Sequence, residues 1–176
     1  GPAGQAPEHE LAAMALDGKR VLLVDCDAQG NATSGVGQKG KRAPGGTIYE
    51  ALTLVAEATA PLVGRKNLLL FTIGFGRLNR FHHYEPDPRY FEPMSESLND
   101  ANVAVYTFDL TDTGALHPFA NAMSHISDDT GGKYFPNVLH FKTPITEVAK
   151  ETSGYYLVSY KAEHLTGLRG FQKVDV

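Results

Sequence analysis

Two carboxylates, Asp25 and Asp27, follow the apolar run at residues 21–24. A short apolar run that stops at a carboxylate and opens into glycine, asparagine, threonine and serine is typical of a buried parallel strand whose carboxyl end leads into a loop. Proteins with parallel α/β sheets bind their ligands at such strand ends. We therefore predict a ligand-binding loop over residues 26–46. A solvated pair of strand-end carboxylates is the alternative interpretation of the same two residues.

A second group of side chains able to bind a metal, HHYEPD, occupies residues 82–87. Because adjacent residues of an extended chain point to opposite sides, His82 and His83 cannot easily share one ion, and a solvated loop is the favoured interpretation. Ser34, His82 and Asp109 supply the residue types of a hydrolytic triad. No Gly-x-Ser-x-Gly turn accompanies them, so we expect no catalytic residue.

Apolar runs predict the strands that must position these side chains. Six runs have the length and composition of strands, at residues 20–25, 67–75, 103–110, 133–135, 155–160 and 171–176. The first three are apolar almost throughout, which is typical of strands buried on both faces. We predict that residues 67–73 and 103–109 form adjacent central parallel strands, because one helix-bearing connection joins these two long apolar runs. The last two are separated by too few residues for a helical crossover, so we predict that they form an antiparallel hairpin at one edge of the sheet.

Helical patterns alternate with the strand-like runs. Thr47 and Glu50 have the spacing of a capping box at a helix start. Apolar residues recur at helical spacing in three further stretches, which are Phe91, Met94, Leu98 and Ala101; Leu116, Phe119, Ala120, Met123 and Ile126; and Ile145, Val148 and Ala149 after Pro144. This alternation predicts an α/β fold with right-handed crossovers, a Rossmann-like three-layer domain with a mostly parallel central sheet.

Length and charge restrict the classes of function. The 176 residues suit one domain, which we place at residues 11–176, with residues 1–10 as a flexible tail or a cleavage scar. A net charge of −4 with scattered lysine and arginine gives no basic surface, so we expect no nucleic-acid partner. No apolar run is long enough to span a membrane, and the first residues lack the features of a signal peptide.

The two irregular segments, residues 26–46 and 74–90, each follow a predicted strand and should lie on the same edge of the sheet. We predict that they form a binding rim for a protein ligand. The residues assigned to this rim are Gln29, Asn31, Ser34, Arg77, His82, His83 and Tyr84.

From about residue 45 to residue 176 the sequence resembles the bacterial branch of the von Willebrand factor A family. The resemblance lies in GRKNLLLFTIGF (64–75), LNDANVAVYTFDL (98–110), ISDDTGGKYF (126–135) and TSGYYLVSY followed by FQKVDV. It implies a Rossmann-like domain that binds protein ligands without catalysis, commonly through a divalent cation at the carboxyl edge of the sheet. An extracellular or periplasmic location would accompany that function.

Only part of the cation site implied by this resemblance is retained. Asp25 matches the first ligand and Thr47 matches the threonine ligand, whereas Asp27 and Gln29 replace two serines and Ile73 replaces an aspartate. Oxygen ligands of this kind suit Mg²⁺ or Ca²⁺. The metal candidates are therefore Asp25, Asp27 and Thr47, and we expect weak binding of Mg²⁺ or Ca²⁺ or no cofactor at all.

Residues 11–37 resemble a different family, the ParA-type partition ATPases, in the segment that follows their phosphate loop. The match lies in LAAMALDGKRVLLVDCDAQGNATSGVG, with TIYEAL a little later. Those enzymes hold ATP phosphates with a glycine-rich loop and lysines, whereas GPAGQAPEHE at residues 1–10 contains no lysine, so we expect no ATP hydrolysis. A cytoplasmic nucleotide-binding remnant is the alternative function. GGTIYEAL (45–52) suits both families and would be the junction of a composite chain, including a designed scaffold without a native ligand.

Overall fold

The computed structural model describes residues 7–16, 18, 19, 21, 47–81, 84, 85, 87–111 and 119–154. Within these ranges the helices and strands are, in chain order, α1 (Pro7–Leu16), α2 (Ile48–Thr59), β1 (Lys66–Thr72), β2 (Arg77–Leu78), β3 (Tyr84–Glu85), α3 (Pro88–Asp100), β4 (Val103–Asp109), α4 (Ala120–Thr130), β5 (Tyr134–Phe135) and α5 (Lys142–Glu151).

A parallel three-stranded sheet lies at the centre, with the strand order β1-β4-β5. The register of β1 and β4 runs from Lys66 opposite Val103 to Thr72 opposite Asp109. This confirms the prediction that the two long apolar runs are adjacent parallel strands. The described residues therefore form an α/β structure in which β1, β4 and β5 all end at one edge, which we call the carboxyl edge.

Side chains of β4 alternate between two hydrophobic clusters. Val103 and Val105 belong to a cluster that includes residues of α2, α3 and α4, such as Leu52, Met94 and Met123. Ala104, Tyr106 and Phe108 belong to a second cluster with Ile145 and Val148 of α5, and Met14 of α1 packs against it. Because successive residues of a strand point to opposite faces, helices cover both faces of the sheet.

An aromatic row crosses the sheet on the α5 side. Phe71 of β1 stacks on Phe108 of β4 with 4.6 Å between ring centroids, and Phe108 stacks on Phe135 of β5 at 5.0 Å. These are cross-strand neighbours in the register. Stacked aromatic pairs contribute about 0.5–1.5 kcal/mol beyond their burial, so the row helps to fix the register that aligns the strand ends.

The predicted helix starts are largely confirmed. Thr47 caps α2 in a complete capping box with Glu50. The residues Phe91, Met94, Leu98 and Ala101 are all buried, as their spacing predicted. The prediction for α5 was wrong at its start, because the helix begins at Lys142 and contains Pro144 in its first turn. Proline is tolerated there because the first amides of a helix have no intrahelical acceptor.

Other boundaries differ from the predictions. The strand expected over residues 67–75 ends at Thr72. The segment 74–90, expected to be irregular, contains the antiparallel pair β2–β3 and the start of α3. The tail expected over residues 1–10 is helical from Pro7 onward.

Several predictions fall on residues outside those described. These are residues 20 and 22–25 of the first predicted strand, the loop 26–46 and the C-terminal hairpin at 155–176. Val21 is described and is not in a strand. Within the described ranges every helix is too short or too polar to cross a bilayer.

Candidate functional site

The carboxyl edge brings the ends of β1 and β4 side by side. Thr72 and Asp109 are paired in the register, and the amide of Leu110 donates a hydrogen bond to the carbonyl of Thr72 at 3.0 Å. Ile73 and Leu110 are thus the first residues beyond the two strands. The edge is the place where this topology presents side chains to a ligand.

Asp109 closes the end of β4 as a fully buried carboxylate. Its Oδ1 accepts hydrogen bonds from the amide of Thr111 at 2.9 Å and from the Thr111 hydroxyl at 2.7 Å. Its Oδ2 accepts one from the Tyr134 hydroxyl at 2.8 Å. Burial, together with this hydrogen bond to Asp109, raises the pKa of Tyr134 far above its ordinary value of 10.0. Asp109 therefore joins the end of β4 to β5 and to the following turn.

Thr47, the one predicted metal ligand among the described residues, is engaged in helix capping. Its Oγ1 accepts the Glu50 amide at 3.3 Å and donates to Glu50 Oε2 at 3.2 Å, while its own amide donates to the same oxygen at 2.6 Å. The hydroxyl thus stabilises the start of α2. Asp25 and Asp27 lie outside the described residues, so their distances from Thr47 are not defined by the structure.

Ile73 occupies the position where the A-domain resemblance implies a carboxylate ligand. Its side chain is 68% exposed immediately after β1. The chain bends there because the Thr72 hydroxyl accepts the Gly74 amide at 3.1 Å and Gly74 has a φ of 118°, which favours glycine. An exposed apolar side chain supplies no oxygen ligand at this point of the edge.

The predicted rim residues are only partly described. Arg77 is exposed on β2, and Tyr84 lies on β3 paired with Leu78. Gln29, Asn31, Ser34, His82 and His83 lie outside the described residues.

The part of the chain that the structure describes lacks clusters of side chains that could bind a metal. It contains no group of three or more histidine, cysteine, aspartate or glutamate side chains arranged to hold an ion. Of the predicted metal ligands, only Thr47 lies in that part of the chain.

The sequence predictions missed an aromatic cluster that anchors the segment after β1. Phe75 is buried and contacts the ring of Tyr49 edge-on, with 6.0 Å between centroids. Tyr49 in turn stacks on Tyr90 at 6.1 Å. The Tyr49 hydroxyl is buried and has no hydrogen-bond partner among the described residues. Aromatic residues at 75, 81 and 90, interleaved with arginine, were the signal in the sequence that marked this segment.

Asp87 and Arg89 form an ion pair where the segment enters α3. Arg89 Nε donates to Asp87 Oδ1 at 3.0 Å and Arg89 Nη2 donates to Oδ2 at 2.7 Å. Asp87 Oδ1 also accepts the Arg89 amide at 3.2 Å as the N-cap of α3. The hydrogen bonds from Arg89 hold the pKa of Asp87 below its ordinary value, and the charge of Arg77 lowers it further. Arg77 is therefore near this pair.

Comparison with known protein families gives one finding for the N-terminal part of the chain. A family described as an AAA domain matches residues 9–69. It is of the P-loop ATPase type to which ParA belongs, and it supports the ParA-like interpretation of residues 11–37. The match continues across residues 45–52, the predicted junction, and ends within β1.

The wider comparisons add no relative. No curated protein and no solved structure matches the chain. The resemblance of residues 45–176 to the von Willebrand factor A family has no support in these comparisons and stays a prediction from the sequence.

Proposed function

We propose that this chain is a non-catalytic protein-binding module with a Rossmann-like, A-domain-like fold that binds its partner at the carboxyl edge without a metal ion. The observation that carries the proposal is the exposed side chain of Ile73, which is 68% accessible at the end of β1. It puts an apolar contact at the position where a cation-dependent relative would need a carboxylate. Binding at this position is then driven by apolar contact rather than by coordination.

The neighbouring residues support a binding role. Phe81 is 63% exposed and Tyr90 is 49% exposed, in the segment that follows Ile73. Contacts that dominate protein interfaces are enriched in aromatic and arginine side chains. Asp109, the buried carboxylate of the edge, is engaged by Thr111 and Tyr134, which suits a structural role better than a catalytic one.

A display experiment with two matched variants tests this proposal. The immobilised full chain is used to select binders from a random-peptide library in the presence of EDTA. Ile73→Glu places a charge on the edge, whereas Leu54→Glu places the same charge at a similarly exposed position on α2. Both substitutions are at exposed sites, so thermal melting should confirm that both variants fold.

We expect peptides that bind equally well in EDTA and in Mg²⁺, that lose binding to Ile73→Glu and that keep binding to Leu54→Glu. Selection of no peptide would overturn the proposal. So would peptides that need Mg²⁺, or that bind Ile73→Glu as well as the unaltered chain.

A nucleotide-binding remnant is the second candidate, favoured by the AAA-domain match at residues 9–69. Thermal unfolding with ATP and Mg²⁺ against Mg²⁺ alone tests it. A ligand at a hundred times its dissociation constant stabilises the native state by about 2.7 kcal/mol. A rise in melting temperature specific to ATP would favour this second function, and no rise would exclude it for this chain.

A further inference from the structure

Three exposed arginines and two exposed aromatic residues lie in the segment between the end of β1 and the first turn of α3. We call Arg77, Arg80, Phe81, Arg89 and Tyr90 the arginine–aromatic surface. The guanidinium of Arg80 lies over the ring of Phe81, 4.9 Å from its centroid, and that of Arg89 lies 5.5 Å from the centroid of Tyr90. All five side chains are exposed, and each aromatic ring is thus presented together with a positive charge.

The surface is held in place from both ends. Arg77 pairs with Glu85 in the β2–β3 register, which turns the chain between them. Phe75 is buried two residues before Arg77, and Tyr90 stacks on Tyr49 of α2. Arg77 therefore projects from β2, and Arg89 and Tyr90 project from α3, whereas Arg80 and Phe81 lie in the turn after β2. Attachment to a strand or helix lowers the entropy lost when a partner binds.

The charge of this surface is opposite to that of the whole chain. The sequence carries a net charge of −4, but residues 73–90 contain three arginines against Glu85 and Asp87. Asp87 is paired with Arg89. Neither Arg77 nor Arg80 makes an ion pair with another described residue. The exposed guanidinium groups of Arg77 and Arg80 therefore add positive charge that carboxylates of a partner can bind.

We propose that the arginine–aromatic surface binds an acidic peptide segment that carries an aromatic or large apolar residue, so that the partner is a protein with such a segment. Guanidinium groups bind carboxylates through paired hydrogen bonds, and the rings of Phe81 and Tyr90 supply the apolar contact. This inference rests on the proposed function and adds the chemistry of the partner. A nucleic acid is disfavoured because the net charge of the chain is −4 and this surface carries only three arginines.

The test uses the peptides selected on the full chain and a pair of triple variants. Arg77→Gln, Arg80→Gln and Arg89→Gln together remove three positive charges from the surface. The control removes three exposed lysines elsewhere, by Lys19→Gln, Lys142→Gln and Lys150→Gln. Both variants have the same net charge, so a general electrostatic effect would change peptide binding equally in the two.

We expect the selected peptides to be rich in aspartate and glutamate around an aromatic or large apolar residue. Their affinity, measured by fluorescence anisotropy, should fall about tenfold or more in the arginine variant, remain within about twofold in the lysine control, and decrease with added salt. Peptides without acidic residues, or equal affinity for the two triple variants, would overturn the inference.

One outcome separates this inference from the proposed function. If peptides lose binding to Ile73→Glu but bind the arginine variant normally, the carboxyl edge binds proteins and the inference is wrong. If no peptide is selected, both fail. A random single-stranded oligonucleotide that binds more tightly than the peptides, with the same dependence on arginine, would also overturn the inference.

Discussion

The hydroxyl of Tyr134 donates a hydrogen bond to the buried carboxylate of Asp109 at 2.8 Å. The two residues are on neighbouring parallel strands, with Asp109 as the last residue of β4 and Tyr134 as the first of β5. The bond satisfies one oxygen of a buried charge while it aligns the strand ends. The carboxyl edge therefore depends on a polar contact within an otherwise apolar sheet.

Tyr134→Phe should destabilise the fold. The substitution leaves the ring in place but removes one donor from a buried carboxylate, a loss that costs about 1–3 kcal/mol. Chemical denaturation followed by circular dichroism measures the change. An unaltered free energy of unfolding would mean that the bond adds nothing to the stability of the carboxyl edge.

Tyr49→Phe should behave in the opposite way. The Tyr49 hydroxyl is buried and no described residue forms a hydrogen bond with it, so its removal should relieve a desolvation cost. The same denaturation experiment should give a free energy of unfolding that is unchanged or higher. A decrease of about 1 kcal/mol or more would indicate that the hydroxyl makes a stabilising hydrogen bond, contrary to this account.

The ion pair of Asp87 and Arg89 should make the stability of the fold vary with pH in the acidic range. Arg89 holds the pKa of Asp87 below its ordinary value of 3.8, so the pair stabilises the fold above that pH and loses this contribution as the pH falls through the folded-state pKa. Asp87→Asn keeps a good N-cap but removes the titrating group. The stability difference between the two proteins should shrink as the pH is lowered below 3.8. A constant difference would contradict the pairing.

Gly74→Ala should destabilise the turn that presents Ile73. Gly74 has a φ of 118°, and a Cβ there would collide with the side chain of Phe119. Backbone strain of this kind costs about 1–3 kcal/mol. Gly154→Ala is the control, because no atom of the described residues lies within 4 Å of a Cβ added at that position. Equal melting temperatures for the two variants would show that the turn accommodates a side chain.

The sequence predicted the elements whose signals are local. The apolar runs that became β1 and β4 predicted two adjacent parallel strands, and Thr47 with Glu50 predicted the start of α2. Helical spacing from Phe91 to Leu98 identified the buried face of α3. Each of these patterns depends on residues close together in the chain, so they can be recognised without the tertiary structure.

The features that the sequence did not predict depend on distant residues. The strands β2 and β3 have two residues each, too short for an alternating pattern. The buried side chain of Asp109 accepts a hydrogen bond from Tyr134, which is 25 residues away. The stacking of Tyr90 on Tyr49 likewise joins two helices. Such contacts appear only once the helices and strands are packed. The sequence analysis therefore named Arg77 and the segment 74–90 as a binding rim but not the stacking of Tyr90 on Tyr49.

The most direct test of binding at the carboxyl edge is a nuclear magnetic resonance titration of the isotope-labelled full chain with a selected peptide in EDTA. We expect the backbone amide signals of residues 73–81 and 87–90 to shift progressively with peptide concentration, and the same shifts to occur in Mg²⁺. Residues at the centre of α2, such as Leu54, should shift little. Shifts confined to other parts of the chain, or shifts that require Mg²⁺, would contradict metal-independent protein binding at this edge.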